Sequence, residues 1–123
     1  MISQVDFLAS FATMLKTKVP AGHAPDSENM LDALLGRSPN GRKIMVKEGM
    51  KTLSITRGDW KYIEPSNARP VNPLVNIELG NSTAAQLYNL KTDIGEKKNL
   101  AAENPERVRE LAEQLKAFKL TEK

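Results

Sequence analysis

Between Lys43 and Ile63 three stretches rich in β-branched and apolar residues are separated only by turn residues. Thr52-Leu53-Ser54-Ile55-Thr56 alternates with the period of two that puts every second side chain on one face of a strand. Arg57-Gly58-Asp59 then turns the chain, and Trp60-Lys61-Tyr62-Ile63 resumes it. A connection this short can only join antiparallel neighbours, and glycine supplies the positive φ that a two-residue hairpin requires. Lys43–Lys47 reads as a preceding strand, returned by Glu48-Gly49-Met50. Gln86–Leu90 reads as a short final strand. Pro65 to Thr83 holds Pro65, Pro70 and Pro73 and is expected to be the least regular part, some of it a long loop crossing the sheet.

Helical periodicity brackets this β region. Val5, Leu8, Phe11, Ala12 and Leu15 recur at helical spacing across Ser3–Lys16, with Ser3 as N-cap and Asp6 three residues later as an acidic capping box. Lys16 to Pro25 is a loop broken by Pro20, Gly22 and Pro25. A shorter helix follows, expected to be capped by Asp26 or Ser27, to bury Met30, Leu31, Leu34 and Leu35, and to end at Gly36. Ser38-Pro39-Asn40-Gly41 is turn chemistry. At the far end Asn104 caps a helix whose first residue is Pro105, and Val108, Leu111, Leu115 and Phe118 line one side. The order predicts an α+β fold: an antiparallel sheet of about four strands packed against a C-terminal helix, with two N-terminal helices.

Composition removes whole classes of chemistry. Cysteine is absent from the 123 residues, and with it go disulfides, a thiolate nucleophile and thiolate metal sites. There is one histidine, His23, in a Gly/Pro-rich loop, and one imidazole does not make a metal centre. No window approaches the ~18 apolar residues of a membrane span. The first residues lack a basic run and place Asp6 where an apolar core should build, so no signal peptide is expected. The net charge of +3 is concentrated in the middle: residues 37–79 carry eight basic against four acidic groups. Such an excess either decorates a solvated strand surface or favours an anionic partner, a sulfated glycan or a nucleic acid. No nucleic-acid recognition motif accompanies it.

Several segments, in order along the chain, resemble the C-terminal part of bacterial sulfatases of the arylsulfatase family. Ile55-Thr56-Arg57-Gly58-Asp59-Trp60-Lys61-Tyr62-Ile63 looks like the family stretch in which a strand ends in Arg, turns, and resumes with Trp-Lys. Gln86-Leu87-Tyr88-Asn89-Leu90 through Asp93, Glu96 and Asn99-Leu100-Ala101 is similar to the family pattern ELYDLxxDPxExxNLA, with Ile94 in place of Pro. Asn104-Pro105-Glu106 then opens the terminal helix. Upstream, Ser3–Phe11 looks like the helix that closes the family's catalytic domain, and Asp26–Leu31 with Leu34-Leu35-Gly36 looks like the segment that follows it.

The resemblance implies two regions. Residues 1–36 correspond to the end of the catalytic domain and its linker, and residues 37–123 to the antiparallel C-terminal subdomain with its helix. In the intact family a larger α/β domain cleaves sulfate esters with a formylglycine made from Cys or Ser beside a bound calcium. The nucleophile motif C/S-x-P/A-x-R and the calcium ligands are absent here, so the chain is expected to carry no catalytic, cofactor or metal residue and to be inactive alone. The expected partner is the sulfatase catalytic domain. The resemblance suggests a periplasmic or secreted parent.

Four residues are candidates for contact with a substrate cleft: His23, Arg57, Trp60 and Lys61. Each has a plainer reading. His23 suits an ordinary loop, and Arg57-Gly58-Asp59 a turn chosen for geometry rather than the adhesion tripeptide it spells. Trp60 and Tyr62 share a strand face that can stack on sugar rings or pack under a helix. Asp93 and Glu96 suit a turn better than a cation site. The alternative function is a stand-alone binding module for an anionic ligand. Finally, the first helix has more apolar side chains than one contact face needs, which predicts a docking surface toward the preceding domain or self-association through the N-terminal region.

Overall fold

The computed structural model describes residues 1–121, with side chains through residue 120. The chain forms two compact units, Met1–Met45 and Val46–Lys123.

In the first unit a 3-10 turn, Gln4–Asp6, leads into α1, Phe7–Met14, and a single helical turn, α2, spans Leu31–Leu34. The capping pair is present: the Ser3 N–H donates to Asp6 Oδ2 at 2.9 Å. Both helices end in the same motif. Lys16 N–H bonds the Thr13 carbonyl and Thr17 N–H the Ala12 carbonyl; Gly36 and Arg37 do the same to Ala33 and Asp32. This pattern needs a left-handed residue after the C-cap. Gly36 supplies it at φ +71, as the sequence predicts, whereas at α1 the position falls on Lys16, at φ +55.

The second helix departs from expectation. It is one turn long, and none of Met30, Leu31, Leu34 and Leu35 is buried. Asp26 and Ser27 do not cap it, because α1 has claimed their segment. Ser27 Oγ accepts the Ala9 N–H at 3.0 Å, the Glu28 N–H donates to Asp6 Oδ1 at 3.1 Å, and the Asp26 carbonyl accepts from Arg42 Nη2. A helix N-terminus offers unsatisfied N–H groups, and the loop's polar atoms answer them.

The second unit is built on a four-stranded antiparallel arrangement. The strands are β1 (Ile44–Glu48), which spans the boundary between the units, β2 (Leu53–Arg57), β3 (Trp60–Ile63) and β6 (Gln86–Asn89), in that spatial order. Arg57 pairs with Trp60, so Gly58-Asp59 is a two-residue loop with Gly58 at φ +58. The segment expected to be least regular holds a small separate hairpin, β4 (Val71–Asn72) with β5 (Ile77–Glu78). Pro70 and Pro73 hide it from pattern reading, yet proline is tolerated beside so short a ladder. Leu74 at its tip is 90% exposed.

The terminal helix α3, Pro105–Thr121, follows the Asn104-Pro105 start signal. Leu111 and Leu115, each 2% exposed, join Ile55, Tyr62 and Leu87 among the buried side chains of this unit. Register places Ile55, Tyr62 and Leu87 on one sheet face. Phe118, the last member of the expected stripe, is 42% exposed. Past β6 the chain doubles back: the Asn99 side chain accepts the Leu87 N–H at 3.0 Å and donates to the Ala85 carbonyl at 3.2 Å, and the Leu100 N–H donates to the Leu87 carbonyl at 2.8 Å.

Candidate functional site

Strand alternation sorts the candidate residues. Arg57 and Trp60 are paired across the β2–β3 hairpin, on the face that α3 covers. Arg57 Nη1 lies 2.6 Å from Glu110 Oε1, and the Arg107 guanidinium sits 4.8 Å from the centre of the Trp60 indole. Arg107 and Glu110 are one helical turn apart, so a single side of α3 grips both members of the pair. Tyr62 is buried on the same face, and burial, with a smaller contribution from Glu64, pushes its phenol above the ordinary value. The Trp60–Tyr62 pair therefore packs under a helix.

Lys61 points to the opposite face. Its Nζ lies 2.7 Å from both carboxylate oxygens of Glu96, with both side chains largely withdrawn from water. Glu96 sits at φ +53 in the turn after β6. Asp93 stabilises that turn by accepting the Lys98 N–H at 2.8 Å. That hydrogen bond, a second one from the Lys97 N–H and the Lys97 charge hold its carboxyl below the usual value against a small opposing effect of desolvation. Arg57 and Trp60 thus come together, Lys61 diverges from them, and each has an internal partner. His23, in the other unit, is exposed, its N–H closing a turn onto the Pro20 carbonyl at 3.1 Å.

The first unit contains a charged constellation that the sequence presents only as a capping residue. Asp6 is fully buried. Arg42 reaches it from 36 positions away, with Nε at 2.8 and 2.9 Å from the two carboxylate oxygens and Nη2 at 2.7 Å from Oδ1. Glu28, 3.2 Å from Arg42 Nη1, is exposed. Burial alone would push the Asp6 carboxyl up; hydrogen bonds from Arg42, Ser3 N–H and Glu28 N–H outweigh it and hold the carboxyl below its ordinary value. Ser10, also fully buried, donates to the Asp6 carbonyl at 2.6 Å and accepts the Met30 N–H at 2.9 Å. The sequence signal is an acid and a serine four residues apart, a spacing that puts them on one helical face.

The consequence is an unusual division of α1. Asp6, in the turn before the helix, and Ser10 are inside, while Thr13 is exposed, Val5, Leu8, Phe11, Met14 and Leu15 are 47–71% exposed, and Phe7 is 39% exposed. Phe7 and Phe11 stack at 5.5 Å between ring centres. The helix thus presents an apolar surface that its own polar contacts do not use. Among the described residues, no group of three His, Cys, Asp or Glu side chains could hold a metal ion, and no helix is long and apolar enough to cross a membrane.

In fold and sequence the chain matches the C-terminal subdomain of sulfatases. It is 44% identical over 120 residues to the N-acetylgalactosamine-6-O-sulfatase of Bacteroides thetaiotaomicron, covering 97% of this chain and 24% of that protein, its C-terminal portion. A solved structure from work on the metabolism of multiple glycosaminoglycans by the same organism, BT33336S-sulf, superposes with a TM-score of 0.90 at 44% identity, over 96% of this chain and 25% of the other. The crystal structure of Ps i-CgsB shares the fold, with a TM-score of 0.66 at 21% identity over 95% of this chain and 24% of the other. No protein-family model matches the chain. The chain spans about a quarter of the length of the curated relative it matches.

Proposed function

We propose that this chain acts as the non-catalytic C-terminal portion of a sulfatase, buttressing the catalytic domain through the apolar surface of α1. The observation that carries the reading is the inverted helix: Asp6 and Ser10 are buried while Phe7, Leu8, Phe11 and Met14 remain exposed. Exposed apolar clusters of this kind mark contact with another protein surface. The match to the last quarter of a sulfatase supports the choice of partner, the larger part that precedes it in the relative. On this reading calcium and formylglycine chemistry belong to that domain, and the parent acts on a sulfated glycan outside the cytoplasm.

The test is complementation. The Bacteroides relative lacking its last quarter is co-expressed with this chain, and a soluble complex with restored desulfation is the expected result. Phe7→Ser with Phe11→Ser should abolish the complex while leaving the isolated chain folded, because both rings are substantially exposed. Absence of any complex, or a complex indifferent to both substitutions, overturns the reading. Self-association through α1 is the competing use of the same surface, and sedimentation at several concentrations distinguishes it.

A further inference from the structure

The turn Ser38-Pro39-Asn40-Gly41 lies between α2 and β1, outside any helix or strand. Of the asparagines in the chain, Asn40 alone is followed by glycine. Most of the others are held in place. Asn29, Asn72 and Asn89 each accept a backbone N–H through the side-chain oxygen, Asn81 and Asn104 donate to backbone carbonyls, and Asn99 does both. Asn40 is exposed, and its side chain makes no hydrogen bond among the described residues; only its backbone N–H is used, donating to Ser38 Oγ at 3.1 Å. The Gly41 N–H is likewise without a hydrogen-bond partner among the described residues.

The glycine is required by the fold. A Cβ on Gly41 would overlap the Met1 backbone, 2.8 Å from its nitrogen and closer still to its carbonyl oxygen. Backbone apposed this tightly admits glycine only. The next residue carries the central tie of the unit. The Arg42 N–H donates to the Met1 carbonyl at 2.8 Å, and the Arg42 guanidinium holds the buried Asp6. The fold thus keeps a glycine at the one place where it leaves the preceding asparagine chemically labile.

We propose that Asn40 is a site of spontaneous isoaspartate formation, and that the conversion loosens the Asp6–Arg42 tie. Asparagine is a thermolabile residue, and a following glycine leaves the backbone nitrogen unshielded by any side chain. The Gly41 nitrogen gives up its proton to hydroxide and attacks the side-chain carbonyl carbon of Asn40. A C–N bond to Gly41 forms as the bond to Nδ2 breaks, and Nδ2 takes a proton from water and leaves as ammonia. One water then opens the five-membered succinimide. Opening at the side-chain carbonyl gives aspartate; opening at the main-chain carbonyl gives isoaspartate, whose main chain runs through the former side chain. An amide nitrogen is exchanged for an oxygen of water, and nothing is oxidised or reduced. Isoaspartate lengthens the main chain by one carbon just before Gly41, which has no clearance beside Met1. The displacement falls on Arg42.

The intact chain is incubated in warm, mildly alkaline buffer made with heavy-oxygen water. Peptides covering residues 38–42 are followed by mass spectrometry that separates isoaspartate from aspartate. Asn67 and Asn76, exposed and followed by Ala68 and Ile77, are internal controls. Asn40 should be lost at least about tenfold faster than either, a barrier lower by about 1.4 kcal/mol. Isoaspartate should be the main product, with heavy oxygen at position 40. The isoaspartyl form is then isolated, and its amide exchange across α1 should be faster than in the fresh chain. Asn40→Asp, which has the charge without the extra main-chain carbon, should exchange as the fresh chain does. Asn40→Gln should neither convert nor change exchange. Conversion no faster than at Asn67 and Asn76, or aspartate without isoaspartate, overturns the site. Unchanged α1 exchange in the isoaspartyl form, or an equal effect from Asn40→Asp, overturns the link to the Asp6–Arg42 tie.

Discussion

Replacing Asp6 by asparagine preserves the volume of the side chain and removes its charge, so it isolates electrostatics from packing. In the native unit the carboxylate accepts from Arg42, from Ser3 N–H and from Glu28 N–H with no exposure to water. Asparagine turns one acceptor into a donor and sets it against N–H groups. It also strips the counter-charge from a guanidinium whose side chain is only 11% exposed. Breaking a buried pair by removing one partner costs roughly 3–5 kcal/mol. Glu28, 3.2 Å from Arg42 but itself 53% exposed, offsets part of that, so the lower end, about 3 kcal/mol, is expected. The sole tryptophan, Trp60, lies in the other unit, so its fluorescence is the wrong probe. Amide hydrogen exchange across α1 reads the opening free energy of the right segment. The pH dependence gives a second signature. The folded carboxyl titrates below its unfolded value of 3.8, so its stabilisation is fully present above that value and is lost as pH falls through the folded pKa. Asp6→Asn should remove that acid-side loss from the exchange profile. An opening free energy within about 1 kcal/mol of wild type, or an unchanged acid limb, would refute the account of this pair as a structural tie.

In the second unit Leu111→Ala or Leu115→Ala should cost roughly 2–5 kcal/mol, read from the denaturant midpoint of Trp60 fluorescence, and Phe118→Ala clearly less because that ring is 42% exposed. Gly58→Ala meets no atom within 4 Å, so its cost is backbone strain alone, about 1–2 kcal/mol by the same assay. Lys16→Gly should stabilise α1 by up to about 1 kcal/mol, since glycine suits the φ of +55 that lysine now holds; slower exchange at the end of α1 checks it. The chain alone should show no turnover of an aryl sulfate with calcium present, and activity that co-purifies with the folded protein would count against the functional reading.

What the sequence makes legible follows the range of the forces involved. Strand β3 and the Gly58-Asp59 loop are readable because alternation and turn chemistry are local, and α3 is readable because Asn104-Pro105 and the Leu111–Leu115 spacing are local too. Gly36 is readable for the same reason. The assignment of Asp26 and Ser27 to α2 fails because another helix competes for them, and no window of ten residues contains both claimants. The Asp6–Arg42 pair lies 36 residues apart and leaves no periodic trace. Among the candidate cleft residues, alternation alone places Arg57 and Trp60 on one face and Lys61 on the other. Their partners Glu110, Arg107 and Glu96 lie 35 or more positions away and emerge only from the fold.

The position of Asn99 beside β6 bears on how this sheet can multiply. Its amide donates to one β6 carbonyl-side neighbour, Ala85, and accepts from Leu87, as a residue of an adjoining strand would, and Leu100 continues the imitation for one more bond. One residue and its successor thereby stand in for a fifth strand that has no further edge to offer. With β6 closed, β1 is the remaining edge of the four-stranded order, and it carries Lys47 and Glu48 at its end. Growth of a fibril by strand addition requires two free edges per molecule, one to receive and one to present. A sheet with a single free edge can pair once, through a two-fold axis, and then stop. The asparagine and leucine of the Asn-Leu-Ala signature thus occupy the Leu87 edge groups that an incoming strand would need at β6.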